Sequence, residues 1–232
     1  DVGAGITLTE SAAANISGGT VQKSGFGTMV LSGVNSFGAA QINAGVLSVN
    51  NNTNLGDTAA NGAITFNGNA AAPNAPATLL VAGSMASARN ITTAGNNSGT
   101  IDVAQGATLL STGVISQTGT GSITKTGQGT LLALGTNTFT TLNINGGGTF
   151  ASGTSQPFAA TATVNLAGGE LGLFQPAVPA NVAVAATTLS YSGGGYVSLQ
   201  DSAAASTQLS LTNLSRTGQG VLVLEAANGQ LG

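Results

Sequence analysis

The stretch KSGFGTMVLSGVNSFGAAQINAGVLSVN, residues 23–50 of this 232-residue chain, recurs at residues 125–152 as KTGQGTLLALGTNTFTTLNINGGGTFAS. The two copies align without a gap at an offset of 102 residues, and ten of the 28 aligned positions are identical. A third, partial copy occupies residues 216–232 and opens with RTGQGVLVLEAANG. A repeat with its glycines in register indicates an architecture in which similar units stack on one another.

Each copy of the repeat reads as short strands separated by bends. Its Gly-x-Gly allows a tight bend, and the following Thr-apolar-x-apolar alternates as a strand does. The Asn-x-Phe after that strand suits a turn that places the aromatic ring inward. Gln41–Asn43 and Val46–Val49 then form two more strand pieces, joined at Ala44-Gly45. Strands of three to five residues bury too little apolar surface alone, so they must stack on further copies.

The rest of the chain keeps the same rhythm of short apolar runs between Gly- and Asn-rich turns. A helical period is not sustained, and only Thr58–Gly62 and Ser84–Asn90 are predicted to form short helical turns. Further predicted strands are Ala63–Asn67, Thr78–Ala82, Gly99–Val103, Thr108–Ser111, Thr163–Leu166, Leu171–Phe174, Thr188–Tyr191, Tyr196–Gln200 and Gln208–Asn213.

A β-sandwich and a β-solenoid both agree with an all-β chain. Sandwich strands are longer and pair through regular hairpins, whereas these are very short and belong to a recurring unit. The sequence therefore predicts an all-β parallel β-helix, a single continuous solenoid over residues 1–232. Coils of roughly 20–25 residues give about ten coils, and stacking at about 4.8 Å gives a rod about 50 Å long.

The composition excludes several kinds of chemistry. The chain has four Lys and Arg, seven Asp and Glu, and no His or Cys. It therefore lacks the material for Ser-His-Asp or Cys-His catalysis, ordinary zinc, haem or iron–sulfur sites, and phosphate binding by a basic stripe. Asp-rich calcium loops are missing too. We expect no catalytic, cofactor-binding or metal-binding residues, no cofactor and no nucleic-acid partner.

Low charge also fits a stacking rule. Each coil's side chain lies under that of its neighbour, so like charges repel, whereas Thr, Ser and Asn form hydrogen-bonded ladders. Those three residue types and Gly make up nearly half of the chain.

The repeat resembles the autotransporter-associated beta strand repeat. The similarity lies in Lys-Ser/Thr-Gly-x-Gly-Thr-apolar-x-Leu-x-Gly-x-Asn-x-Phe followed by Ile-Asn-x-Gly-x-Leu, at Lys23–Val49 and partly at Arg216–Leu224. The copy at Lys125–Phe150 departs at two Leu positions, with Ala133 facing Leu31 and Thr149 facing Leu47.

This resemblance implies a right-handed parallel β-helix from the passenger of a type V secreted protein. The implied role is a non-enzymatic structural or adhesive element at the surface of a Gram-negative bacterium, extracellular and dependent on an outer-membrane translocator that this chain does not include. Expected partners are further copies of the chain, associated end to end or laterally, or host or environmental surfaces and glycans. The alternative is a self-assembling subunit of a filament or surface layer, in which solenoid ends stack head to tail. Because there is no initiating Met or apolar leader, the chain is expected to be a mature or excised segment.

Several residues carry separate expectations. Lys23, Lys125 and Arg216 share one repeat position and are interpreted as solvated turn residues that discourage edge pairing, in preference to a cationic row for anionic polysaccharide. The pairs Phe37/Phe139 and Phe26/Phe66 are expected to fill the core.

The sequence leaves two minor alternatives open. Asp102 and Glu170 are considered as a glycosidase pair, which requires carboxylates within about 5–10 Å. Ice binding needs a flat row of Thr, but the Thr-x-Thr pattern does not recur at one coil period among the residues considered, which are Thr108, Thr118, Thr120, Thr124, Thr126 and Thr130.

Overall fold

The computed structural model describes residues 1–56, 62–68, 76–153, 158–174, 181–201 and 206–227. These residues form 22 strands and one short 3₁₀-helix, η1 (Asn52–Leu55). The strands are β1 (Thr7–Thr9), β2 (Thr20–Lys23), β3 (Thr28–Leu31), β4 (Ala39–Ile42), β5 (Gly45–Val49), β6 (Ile64–Phe66), β7 (Ala77–Val81), β8 (Met85–Ser87), β9 (Ile91–Thr93), β10 (Gly99–Val103), β11 (Thr108–Ser111), β12 (Ile115–Gln117), β13 (Ile123–Thr126), β14 (Thr130–Ala133), β15 (Thr141–Asn145), β16 (Thr149–Ser152), β17 (Thr163–Ala167), β18 (Glu170–Phe174), β19 (Val182–Tyr191), β20 (Gly195–Gln200), β21 (Thr207–Arg216) and β22 (Leu222–Ala227).

The strands stack into three sheets that form a β-solenoid. Sheet 1 has ten strands in the order β1-β3-β5-β7-β10-β13-β15-β17-β19-β21, sheet 2 runs β8-β11-β14-β16-β18-β20-β22, and sheet 3 runs β2-β4-β6-β9-β12. Every pairing between these strands is parallel. The predicted parallel β-solenoid is confirmed, and the ten rungs of sheet 1 are close to the predicted number of coils.

The coils change their cross-section along the chain. The first three use sheets 1 and 3, the next two use all three sheets, and the coils from β13 onward use sheets 1 and 2. Hydrogen-bonded side chains in adjacent coils are typically 19 to 25 residues apart, for example in Gln22–Gln41 and Asn181–Ser206. This spacing agrees with the coil length predicted from the sequence.

Side chains stack in columns that follow the strand registers. One inward column of sheet 1 contains Leu47, Leu79 and Ile101, all fully buried, and continues through Lys125 and Ile144. The outward column beside it is Thr, Asn or Ser at nine of its ten rungs: Thr7, Thr28, Val46, Thr78, Thr100, Thr124, Asn143, Asn165, Ser190 and Ser215. Its amides form a ladder in which Asn165 Nδ2 donates to Asn143 Oδ1 at 2.8 Å.

Most predicted strands lie within one or two residues of the observed ones, and Gly99–Val103 and Thr108–Ser111 match in full. The helical turn predicted at Ser84–Asn90 is wrong, because Met85–Ser87 is strand β8 with its two end residues buried. The turn predicted at Thr58–Gly62 lies almost entirely outside the described residues. The strands β19 and β21 have ten residues each, longer than the predicted three to five.

The structure also corrects the alignment of the two repeats. Val46 pairs with Thr28, and Thr149 pairs with Thr130, so Thr149 corresponds to Val46 and not to Leu47. The second copy therefore carries one extra residue in its Gly-rich turn. Phe150 takes the place of Leu47, and the side chains of both are fully buried. Ala133, which aligns with Leu31 of the first copy, is a second departure from the repeat pattern beside this inserted residue and the Phe150 that replaces Leu.

Candidate functional site

Lys23, at the end of β2, is buried inside the solenoid, with 1% of its surface exposed. Its Nζ donates to the carbonyl oxygens of Ser24 at 3.1 Å, Gly25 at 2.7 Å and Ala44 at 2.9 Å. Three acceptors match the three hydrogens of an ammonium group. The lysine therefore clamps the bend that follows it to the next coil.

Lys125 forms the same clamp in the second copy. Its side chain is fully buried between Ile101 and Ile144. Its Nζ donates to the carbonyl oxygens of Thr126 at 2.7 Å and Gly127 at 3.0 Å. Burial lowers the pKa of Lys125 from 10.5 to about 8, although the Asp102 carboxylate opposes that shift. Burial also lowers the pKa of Lys23.

The interpretation of these two lysines as solvated turn residues is wrong, and so is the cationic row. The carbonyl oxygens of the Gly-x-Gly bend point into the solenoid, where the amine of the preceding lysine side chain donates to them. That contact is the physical reason for the burial. Arg216 is exposed, as expected for a turn residue, yet its Nε donates to Gly218 O at 2.9 Å, the same contact two residues along. The sequence signal is a cation two residues before a bend glycine.

The Gly-x-Gly bend rests on the preceding coil in all three copies. Gly27 N donates to Val2 O at 2.8 Å, and Gly129 N donates to Val103 O at 2.9 Å. The third copy uses Gly220 N and Ser192 O at 2.8 Å. A Cβ at Gly129 would lie 2.2 Å from Ala104 O, so the close approach requires glycine there.

The residues of the preceding coil that contact the Gly-x-Gly bend are themselves part of the repeat, which the sequence comparison missed. Residues 1–7, DVGAGIT, correspond to residues 102–108, DVAQGAT, at an offset of 101. Gly5 and Gly106 have φ of 74° and 77°, and the bonds Ile6 N to Gly3 O and Ala107 N to Ala104 O measure 3.0 and 2.9 Å. The difference of one residue in offset hid the match.

Asn35 and Asn137, paired by the repeat, are buried in the turn before each Phe. Asn35 Oδ1 accepts from Ile16 N at 2.7 Å, and Asn137 Oδ1 accepts from Ile115 N at 2.9 Å. Asn35 Nδ2 also donates to Glu10 Oε2 and to Asn54 O. Among the described residues, Asn137 Nδ2 has no partner. Both asparagines therefore tie neighbouring coils, the first more completely.

Among the described residues, Arg89 has the largest fully buried side chain. Its guanidinium donates to Gly62 O and Gly56 O, both at 3.0 Å, and to Asn52 Oδ1 at 3.3 Å. These contacts fasten η1 to the central coils. Sequence reasoning gave Arg89 no role beyond its charge.

The two carboxylates considered for glycosidase chemistry are not brought together. Asp102 lies on β10 in sheet 1, and Glu170 begins β18 in sheet 2, three coils further along. Three coil spacings are about 14 Å, beyond the separation that a glycosidase pair needs. Within the described ranges, no group of three or more potential metal-ligating side chains occurs.

The threonines considered for ice binding are divided between sheets. Thr108 and Thr130 pair in sheet 2, whereas Thr124 and Thr126 lie on β13 in sheet 1. They therefore do not form one row.

The aromatic prediction holds for three of four residues. Phe37, Phe66 and Phe139 are fully buried. Phe139 also contacts Phe150 edge to face, with ring centroids 5.9 Å apart. Phe26 is 58% exposed, because it occupies the middle of the Gly-x-Gly bend, where side chains face solvent.

The fold and its internal contacts define a class, an all-β parallel solenoid whose bends are clamped by buried lysines. Searches with the sequence and the structure found no matching protein-family model, no matching curated protein and no matching solved structure. In the part of the chain that the structure describes, no helix is long and apolar enough to cross a membrane.

Proposed function

We propose that this protein is a non-enzymatic structural or adhesive element of the extracellular surface of a Gram-negative bacterium, exported as part of a passenger-like β-solenoid. The observation that carries the proposal is the outward column of sheet 1, in which Thr, Asn and Ser repeat over nine of ten rungs. A polar column of this kind on a rigid rod suits many weak, repeated contacts.

The internal contacts support the same proposal. Lys23 and Lys125 have their amines in carbonyl cages, and the chain has no cysteine, so buried amines rather than disulfides hold its bends. Each coil pairs only with its neighbours, so coils can form one after another from one end. Sequential folding of this kind suits a chain that crosses a membrane unfolded.

Surface display in a Gram-negative host tests the proposal. The chain is placed between a signal peptide and an outer-membrane translocator, and protease is added to intact cells. We expect added protease to reach the displayed chain and to cut it at its turns but not within its strands. We also expect these cells to adhere to polysaccharide-coated surfaces more strongly than cells that carry the translocator alone. Retention in the periplasm contradicts the export, and display without added adhesion contradicts the adhesive role.

A self-assembling subunit is the second candidate, and a specific observation favours it. Ile6 and Leu8 are more than half exposed at one end, and Leu214 and Val223 are about half exposed at the other. Among the described strands, β1 and β21 each pair on one side only. Such edges can pair with a second copy, and a head-to-tail contact of this kind need not close.

Size-exclusion chromatography and electron microscopy over a range of concentrations test the second candidate. Assembly is expected to lengthen the rods with concentration, and Leu8→Lys or Val223→Lys is expected to shorten them. A strict monomer at high concentration rules this candidate out.

A further inference from the structure

The outward face of sheet 2 contains a depression of about 220 Å³. Its floor is a column of small residues, Ala151, Gly172 and Ser198, in register on three successive strands. A Cβ added to Gly172 would lie 3.3 Å from Ala151 Cβ and 3.4 Å from Ser198 Oγ. A larger side chain at residue 172 would therefore project above this floor and fill the depression.

One wall of the depression is the carboxylate of Glu170, held by two hydroxyl groups. Thr149 Oγ1 donates to Glu170 Oε2 at 2.8 Å, and Ser198 Oγ donates to Glu170 Oε1 at 2.9 Å. Each carboxylate oxygen keeps a lone pair, and each hydroxyl oxygen keeps acceptor capacity. The group therefore presents a fixed set of acceptors to a ligand that carries several hydroxyl groups.

One aromatic residue lines each of the two depressions that share this carboxylate. Phe174 lines the first depression and lies across Gly153, where a Cβ would be 2.7 Å from its ring. Tyr196 lines an adjoining depression of about 420 Å³, whose floor is made of the glycine turns at residues 168–169 and 193–195. Glu170 lines both depressions, so the two form one elongated surface with an aromatic ring in each half.

We propose that this surface, the Glu170 groove, binds a neutral polysaccharide chain. Sugar hydroxyls donate to Glu170, and the apolar faces of the sugar rings pack on Phe174 and Tyr196. No Lys or Arg lines either depression in the described structure, and the carboxylate repels anionic chains. The proposal builds on the adhesive role given above and assigns it a ligand class and a place.

Native gel electrophoresis of the purified chain through gels containing dextran, mannan, galactomannan or alginate tests the proposal. We expect retardation by at least one of the three neutral polymers and none by alginate. Glu170→Gln is expected to weaken the interaction about tenfold, since it replaces charged acceptors. Gly172→Leu is expected to abolish the retardation by filling the depression.

Glu225→Gln is the matched control, because Glu225 is exposed on β22 beside Ser198 and lies outside the residues that line the two depressions. It makes the same change of charge and should leave the retardation unaltered. Circular dichroism and thermal melting establish that each variant is folded, and Phe174→Ala gives a second route if Gly172→Leu does not fold. The proposal is overturned if no neutral polymer retards the wild type, if alginate does so more strongly, or if Glu170→Gln and Glu225→Gln behave alike.

The binding role of the Glu170 groove and the proposed surface function can fail independently, and the two failures give different results. Displayed cells that adhere equally well with Glu170→Gln contradict the groove and leave the surface role standing. A purified chain that binds a neutral polymer but is not displayed contradicts the surface role and leaves the groove standing.

Discussion

The two full copies of the repeat fold alike but occupy different faces of the solenoid. In residues 23–50, β3 and β5 belong to sheet 1 and β4 to sheet 3, whereas in residues 125–152, β14 and β16 belong to sheet 2 and β15 to sheet 1. The second copy therefore lies four coils beyond the first, and each of its strands lies in a different sheet from its counterpart in the first copy. Local sequence specifies a strand-bend-strand unit with its clamp, and stacking on the preceding coil determines the face on which that unit lies.

The clamps also differ in completeness. Lys23 donates to three carbonyl oxygens, including that of Ala44 in the next coil. The contacts of Lys125 are to Thr126 and Gly127, within its own bend, and Gly148 approaches it from the next coil. The second copy's turn has one extra residue at this point, and in the described structure Lys125 has no bond to a carbonyl oxygen of the next coil. Substitutions made in both copies therefore measure how much each contact contributes.

The largest expected effect is at the glycine of the next coil that packs against each lysine clamp. Gly45 has φ of 68°, and a Cβ there would lie 2.5 Å from the carbonyl oxygens of both Gly25 and Gly27. Gly45→Ala therefore combines backbone strain with a clash and should lower the free energy of unfolding by about 4 kcal/mol. Gly148→Ala meets Gly127 O at 2.1 Å but has no unfavourable φ, so about 3 kcal/mol is expected. Urea denaturation measures both.

Gly146→Ala is the control for these two variants. Gly146 has φ of 88°, yet a Cβ there has no neighbour within 4 Å. Only backbone strain applies, and the expected loss is about 1 kcal/mol. Equal losses for Gly146→Ala and Gly148→Ala would contradict the close packing of the second clamp.

A smaller difference is expected at the buried asparagines. Asn35→Ala removes bonds to Ile16, Glu10 and Asn54, one of them to a carboxylate, and should cost about 3 kcal/mol. Asn137→Ala removes one bond, from Ile115 N, and should cost about 1.5 kcal/mol. The same atoms are removed in both variants, so the difference reports the additional partners of Asn35. Similar losses in chemical denaturation would show that these partners contribute little.

The fold could be predicted from the sequence more completely than the buried polar contacts could. The repeat and its short strands predicted the solenoid and most strand positions, because stacking requires in-register columns whatever the face. The sequence did not predict the burial of Lys23 and Lys125, because the position of carbonyl oxygens around an amine depends on the backbone path of the bend. The Glu170 groove was missed for a similar reason, since Thr149, Glu170 and Ser198 are brought together only by stacking.

The stability difference between wild type and Lys125→Met should depend on pH. Because burial lowers the pKa of folded Lys125 to about 8, the unfolded chain binds more protons between that pH and 10.5. The free energy of unfolding of the wild type should therefore rise across this window relative to the variant, by up to roughly 3 kcal/mol. Lys23→Met gives the matching measurement in the first copy, where burial also lowers the pKa. A pH-independent difference for Lys125→Met would indicate that its amine keeps its ordinary pKa.

The smallest expected effect is at the middle of the bend, where one copy has an aromatic residue and the other a polar one. Phe26 is 58% exposed and corresponds to the exposed Gln128, so neither side chain takes part in the clamp. Phe26→Gln should change the free energy of unfolding by less than about 0.5 kcal/mol, as surface substitutions do. The melting temperature should be nearly constant, because the Gly25 and Gly27 contacts to Val2 are kept. A loss above about 1 kcal/mol would show that Phe26 packs on the solenoid, and would place part of the stability of the first copy outside its buried amine.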